Sequence, residues 1–349
     1  MGKDIIMKGI ELSKKYFYQI VLPSLEKDFP FLCDHIAAGL VAGGFASGCG
    51  SEVGGFDDEI SRDHNWGPRV FLFLSEDHKT LYGEKLQEYL DSSLPKEFEG
   101  FQLKATTLQN NNAYIVTPGE NLKSVLHIES VPNSDAEWLS IPELLLFEYN
   151  AGEIFYEPKL LVSPLKEQFS YFPDDIWYKR LAFAFFTLHA AGNANRMVMR
   201  GDVVATNAYV SWLLQCVMRT CFLFRRRFAP YIKWRFQAFK QLQNLPDGII
   251  SQIEKLAERI DLTLVEQQII DLLTFVGTMA NESGLIEPLP LFVKSPYIWT
   301  DFNCYGFMNK FEEKIKGSLR GRPYEGPLDM WVENHLPIDQ KLVLSAWNK

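Results

Sequence analysis

The stretch Gly48-Cys-Gly-Ser-Glu-Val-Gly-Gly-Phe-Asp-Asp-Glu-Ile-Ser-Arg-Asp-His-Asn-Trp-Gly-Pro-Arg69 constrains this chain more than any other. A glycine-rich turn ends at Gly50-Ser51, an acidic linker follows, and Ser61–Trp66 runs straight into the apolar Val70-Phe-Leu-Phe-Leu74. That run reads as a strand buried on both faces. Glycine lets a backbone approach a polyphosphate closely, and Ser51 can open a helix whose first N–H groups and dipole favour an anion. Asp63 and Asn65 are two apart, so on a strand they point the same way. Two oxygen ligands so placed can share magnesium ions about 3.5–4 Å apart, which clamp the attacking and leaving oxygens of an in-line displacement. Other phosphate motifs fit worse. There is no Gly-Lys-Ser/Thr of a P-loop, and Gly48, Gly50 and Gly54 miss the dinucleotide glycine spacing by one residue. Read from residue types alone, the stretch serves equally as a turn followed by a surface acid ahead of a strand.

The resemblance to a known group lies in the longer text. Gly50-Ser51, eleven residues, then Asp63-x-Asn65 resembles the nucleotidyltransferase signature of Gly-Ser, a spacer and an Asp-x-Asp/Glu pair. The whole run from Gly50 to Arg69 is similar to an uncharacterised, mainly bacterial family of nucleotidyltransferase-like proteins. These join the catalytic domain to a C-terminal helical domain like that of kanamycin nucleotidyltransferase. The departure is Asn65, where the family pattern has an acid; an amide oxygen can bind magnesium but brings no negative charge, which weakens one metal site.

At 349 residues the chain suggests two domains, and 47% apolar residues supply a substantial core. A net charge of −9 argues against a general nucleic-acid binder. The cysteines, Cys33, Cys49, Cys216, Cys221 and Cys304, are scattered without metal-site spacing and read as reduced thiols of a cytoplasmic protein. No signal peptide is read at the N-terminus.

Along the chain, residues 4–30 read as an amphipathic helix, His35–Ala42 as the apolar element leading into the glycine turn, and 79–94 as a helix. His35 reads as structural. Glu99–Gln109, Ala113–Thr117 and Ser124–Val131 read as strands, the last by its alternation. Helix between strands gives a mixed α/β sheet. Trp138–Glu157 also looks like the family text between the two domains, and 157–171, with Pro158 and Pro164, reads as a linker. From Phe172 the pattern is helical. The apolar run around Tyr209–Phe224 is interrupted by Gln215 and Arg219 and reads as a buried bundle helix, not a membrane span. In Arg225–Arg235, Pro230 fits the first turn of a new helix, where the N-terminus with Lys233 makes an anion site, while the three arginines also read as a solvated helix end.

The fold class expected is therefore α+β: a nucleotidyltransferase-fold domain over residues 1–157, then a helical bundle over 158–349, with a cleft between them. The resemblance implies transfer of a nucleoside monophosphate from a nucleoside triphosphate such as ATP to a hydroxyl of a small molecule or protein. It places Gly50, Ser51, Arg69, Tyr231 and Lys233 on the nucleotide. It makes Asp63, Asn65 and Glu129 ligands of Mg2+, counts Asp63 among the catalytic residues, and has Glu129 or His127 complete the metal site or take the acceptor proton. A degenerate nucleotide-binding or scaffold protein of the same fold is the alternative, and Asn65 is its basis.

Overall fold

The computed structural model describes residues 7–43, 50–62, 66–103, 112–258, 261–294, 300–322 and 327–330. The chain forms two compact units: Met1–Val131 with Leu144–Ser170, and Pro132–Glu143 with Tyr171–Lys349. It is a mixed α/β protein with a small mixed sheet and a helical C-terminal region.

In the first unit, helix α1 (Gly9–Tyr16) continues through a π-helical turn (Phe17–Val21) into α2 (Leu22–Asp28) and the short α3 (Pro30–Cys33). Strand β1 (Ala37–Leu40) is followed, past the signature stretch, by β2 (Val70–Phe73) and helix α4 (Glu76–Ser93). Ser75 caps α4 by accepting the His78 N–H, with Glu76 and Asp77 in the favourable first turn. Strands β3 (Glu97–Phe98) and β4 (Phe101–Gln102) form a minimal hairpin whose turn residues, Glu99 and Gly100, both have positive φ. Strand β5 (Ala113–Val116) leads into α5 (Pro118–Leu126), and β6 (Glu153–Tyr156) closes the sheet before α8 (Ser163–Glu167).

The sheet order is β5-β2-β1-β6. β1 runs antiparallel to both neighbours, and β2 runs parallel to β5 with Val70 opposite Ala113. All four residues of β1 and of β2 are buried, as the continuous apolar run implies. Ala37, Phe71, Phe73 and Tyr114 form one apolar cluster with Val41 and Val162. Close strand approach explains two glycines. A Cβ on Gly39 would come 2.4 Å from the Glu153 carbonyl oxygen, and one on Gly152 would come 2.1 Å from that of Leu40.

The expected strand Ser124–Val131 is not a strand. Thr117 and Glu120 form a reciprocal capping box, Pro118 occupies the first turn, and the backbone runs helically to Leu126, ending at His127 in the left-handed conformation. Alternation of apolar residues lost to a strong helix start, whose Thr-Pro-x-Glu text lies just upstream. Of the expected strand Glu99–Gln109, only Phe101–Gln102 is one; residues 104–111 lie outside the described residues.

The second unit opens with α6 (Asp135–Ser140), and α7 (Glu143–Asn150) begins at its edge. It continues through α9 (Asp174–Thr187), α10 (Ala190–Met199), α11 (Val203–Phe224), α12 (Ile232–Phe239), α13 (Ile249–Glu258) and α14 (Val265–Glu282). A hairpin of β7 (Phe292–Lys294) and β8 (Thr300–Phe302) precedes α15 (Cys304–Glu312). α9 packs on α11 and α15, where the Phe185 ring stacks on Phe307 at 4.8 Å and Phe311 at 5.4 Å. Both polar interruptions of α11 have partners: the Gln215 side-chain oxygen accepts from Arg235 at 2.8 Å, and Arg219 donates to the Asp329 carbonyl at 2.9 Å. Among the described residues no helix is long and apolar enough to cross a membrane. Cys33, Cys216, Cys221 and Cys304 are free thiols.

Candidate functional site

The described start of the signature is a compact coil, not the regular helix expected to open at Ser51. The Gly50 carbonyl accepts from the N–H groups of Val53 and Gly54, Ser51 from Phe56, and Glu52 from Gly55. Gly55, at φ +77°, ends the coil where an L-residue would be strained. The Gly152 N–H bonds the Val53 carbonyl at 2.9 Å, which ties the coil to the start of β6.

Two acids that sequence reading passed over hold this coil. Glu52 is buried and accepts from the Arg69 guanidinium, also buried, at the lead of β2. Burial pushes the Glu52 carboxyl up from its usual value, and the positive charge of Arg69 opposes that shift. The pair explains Gly50: a Cβ there would sit 2.4 Å from the Glu52 carboxylate, which Arg69 holds in place. The Arg69 N–H in turn bonds the Ser13 hydroxyl on α1 at 3.2 Å. Asp57 is likewise buried; its Oδ2 accepts from the Gly9 N–H at 2.8 Å and from Trp66 Nε1 at 3.0 Å, and Lys8 lies 3.4 Å from Oδ1.

Asp63, His64 and Asn65 lie outside the described residues, so the expected metal pair is not placed. Both flanks of that segment are held. The Arg62 guanidinium lies 4.2 Å from the centre of the Trp66 ring and donates to the Met7 carbonyl at 3.0 Å, while Trp66 bonds Asp57. The Gly50-Ser51 coil and the entry to β2 are thus brought together by Glu52–Arg69. Ser51 is half-buried, and among the described residues its N–H and its hydroxyl have no bonding partner. Those two donors suit an anionic oxygen.

The remaining expected site residues sit elsewhere. Arg69 is engaged with Glu52, within the fold. Glu129 follows α5 in a loop, exposed, with its carboxylate 2.7 Å from Lys123 Nζ. His127 is the C-cap of α5. Neither lies on a sheet strand, where a third acid is expected. Among the described residues no group of three His, Cys, Asp or Glu side chains could hold a metal ion. In the second unit, Tyr231 is the N-cap of α12 and Lys233 lies in its first turn, exposed, with Nζ 4.8 Å from the Trp234 ring centre. Pro230 precedes the helix. Glu52 and Asp57 were missed because a buried acid is recognised by its cation, and their partners, Arg69 and Lys8, lie 17 and 49 residues away in sequence.

Residues 138–235 match the model of a family described as a domain of unknown function (DUF4037). No curated protein matches the chain. Among solved structures, a nucleotidyltransferase-like protein from Exiguobacterium sibiricum 255-15 is similar at 13% identity and a TM-score of 0.34, with 76% of this chain and 77% of that one covered.

Proposed function

We propose that the chain is a metal-dependent nucleotidyltransferase that moves a nucleoside monophosphate from a nucleoside triphosphate to a hydroxyl acceptor. The observation that carries this reading is the half-buried Ser51, whose N–H and hydroxyl have no bonding partner among the described residues, on a coil that Glu52–Arg69 fastens beside the entry to β2. In this reading Gly50 and Ser51 receive the β- and γ-phosphates, and Asp63 with Asn65 ligates Mg2+. Glu129 is exposed and paired with Lys123, so a role as third acid requires that pair to open.

Calorimetric titration with ATP, GTP, CTP and UTP, each with and without Mg2+, tests the proposal. Magnesium-dependent binding that Asp63→Ala removes, with the thermal midpoint unchanged within about 2 °C, is the expected outcome. Turnover fully retained by Asp63→Ala would sink it.

Asn65 favours a second reading, a nucleotide-binding protein that retains the fold without efficient turnover. Asn65→Asp separates the two. Turnover created by this variant, where the native chain has none, identifies a degenerate enzyme; activity in both makes Asn65 a working ligand.

A further inference from the structure

The second unit contains a cavity of about 880 Å3 that none of the proposed nucleotide chemistry uses. It lies between the end of α11, the loop at Asn244–Pro246 and the last turns of α14. Its volume falls within the range of small-molecule sites, roughly 300–1,000 Å3. Trp177, Phe224, Leu245, Phe275 and Met279 supply apolar walls, and Arg225 and Arg226 supply two cations against the one carboxylate of Glu282.

The rim is built from unusual backbone. α11 ends in a Schellman arrangement: the Arg227 N–H bonds the Phe222 carbonyl and the Arg226 N–H bonds that of Leu223, each at 3.1 Å. The left-handed residue of this motif is ordinarily glycine, yet here it is Arg226, at φ +47°. Across the opening Asn244 is also left-handed, at φ +56°. Arg225 joins the two sides by donating from Nε to the Gln243 carbonyl and from Nη2 to that of Asn244. A non-glycine residue is strained in the left-handed conformation. That conformation places a guanidinium at the cavity wall, where Arg226 lies 3.7 Å from the centre of the Trp177 ring and pairs with Asp174 at 2.7 Å. Strain that persists at a cavity rim is characteristic of binding sites. An arginine carries five N–H donors in a planar fork, so both side chains retain donors beyond these bonds.

We propose that this cavity binds a small amphipathic anion: an aliphatic or aromatic body against the apolar walls, with a carboxylate, sulfonate or phosphate at Arg225 and Arg226. The site rests on the second unit alone and is independent of the nucleotidyltransferase reading.

The test is fluorescence titration of the full chain with anilinonaphthalene sulfonate, and with the uncharged N-phenylnaphthylamine, followed by displacement with dodecanoate. The native chain is expected to bind both probes saturably, with dodecanoate displacing them. Thr278→Phe, which fills the cavity from α14, is expected to weaken both by about tenfold or more. Arg226→Gly suits the left-handed backbone. It is expected to weaken the sulfonate and dodecanoate by about fivefold or more while leaving the neutral probe within about twofold. Circular dichroism establishes folding of each variant, and Arg226→Gly decides the matter if Thr278→Phe does not fold. Absence of saturable binding by the native chain, or native affinity in a folded Thr278→Phe, overturns the site. Equal loss of charged and neutral probes in Arg226→Gly overturns the anionic class.

Discussion

Glu52 and Arg69 meet inside the first unit as a buried ion pair that fastens the glycine coil to the start of β2. Removing one partner leaves the other charge buried without compensation, a cost of about 3–5 kcal/mol. Arg69→Met is therefore expected to lose more stability in urea denaturation than the double variant Glu52→Gln/Arg69→Met, which buries no net charge. The pH dependence has a definite sign. Burial raises the Glu52 carboxyl in the folded state, so its contribution is complete below the usual value of 4.5 and is lost as pH rises through the raised folded value. Arg69 opposes that rise, so Arg69→Met should show a steeper fall of thermal midpoint with increasing pH than the native chain. Identical slopes would show that the two charges are not coupled.

Gly152 and Gly55 provide a matched pair of glycine tests. Both have positive φ, +82° and +77°, but a Cβ on Gly152 would meet the Leu40 carbonyl at 2.1 Å, whereas nothing lies within 4 Å of one on Gly55. Gly55→Ala is expected to cost about 1–2 kcal/mol, the conformational strain alone. Gly152→Ala adds displacement of β6 from β1 and strains the bond from Gly152 to Val53, and is expected to cost about 3 kcal/mol or more. Denaturant midpoints of the two variants check the order.

Glu157, after β6, accepts N–H bonds from Leu161, Val162 and Ser163, and a hydroxyl bond from Ser163. Burial pushes its carboxyl up, but these donors outweigh that and bring it below the usual 4.5. Its contribution is present above 4.5 and lost as pH falls through the depressed value. Because the group is partly solvated, Glu157→Gln should cost no more than about 1 kcal/mol near neutrality. The difference should vanish in acid, where both side chains are uncharged; thermal melts across the acid range measure this.

What could be read in advance follows from the range of the interactions involved. Val70–Leu74 was legible as a buried strand because burial on both faces leaves a local trace of five apolar residues. The helix over α4 was legible from its spacing. Ser124–Val131 alternates as a strand does, but the helix start at Thr117-Pro118-x-Glu120, with its reciprocal caps, decides the backbone as far as Leu126. Gly50 reads in the sequence as a phosphate-approach glycine; the structure adds that the Glu52 carboxylate excludes a side chain there. Arg180 and Lys179 were unreadable as core residues. Their partners Asp329 and Glu312 lie 149 and 133 residues away, and a local charge pattern carries no information about such pairs.

Those long-range pairs give the last prediction. The Arg180 side chain is fully buried, bonds both Asp329 carboxylate oxygens at 3.1 Å, and lies 3.8 Å from Glu143. Asp329 also accepts the Glu143 N–H at 3.0 Å, and the Glu143 carboxylate accepts the Ala229 N–H at 2.9 Å. Burial pushes both carboxyls up. For Asp329 the positive charges of Arg180 and Arg219 win and hold it below its usual 3.8, whereas for Glu143 burial wins and the carboxyl is raised. The stabilisation from Asp329 is therefore present above 3.8 and lost as pH falls through its depressed value. That from Glu143 is complete below 4.5 and lost as pH rises through its raised value. Asp329→Ala leaves the Arg180 charge with the longer Glu143 contact as its carboxylate neighbour, beside its bond to the Ile141 carbonyl and its place over the Phe172 ring, and should cost about 3–5 kcal/mol. Adding Arg180→Met should recover part of that loss, because no buried cation then lacks its partner. Urea denaturation of the two variants near neutral pH decides it: a double variant less stable than Asp329→Ala would show that Arg180 stabilises the unit without Asp329.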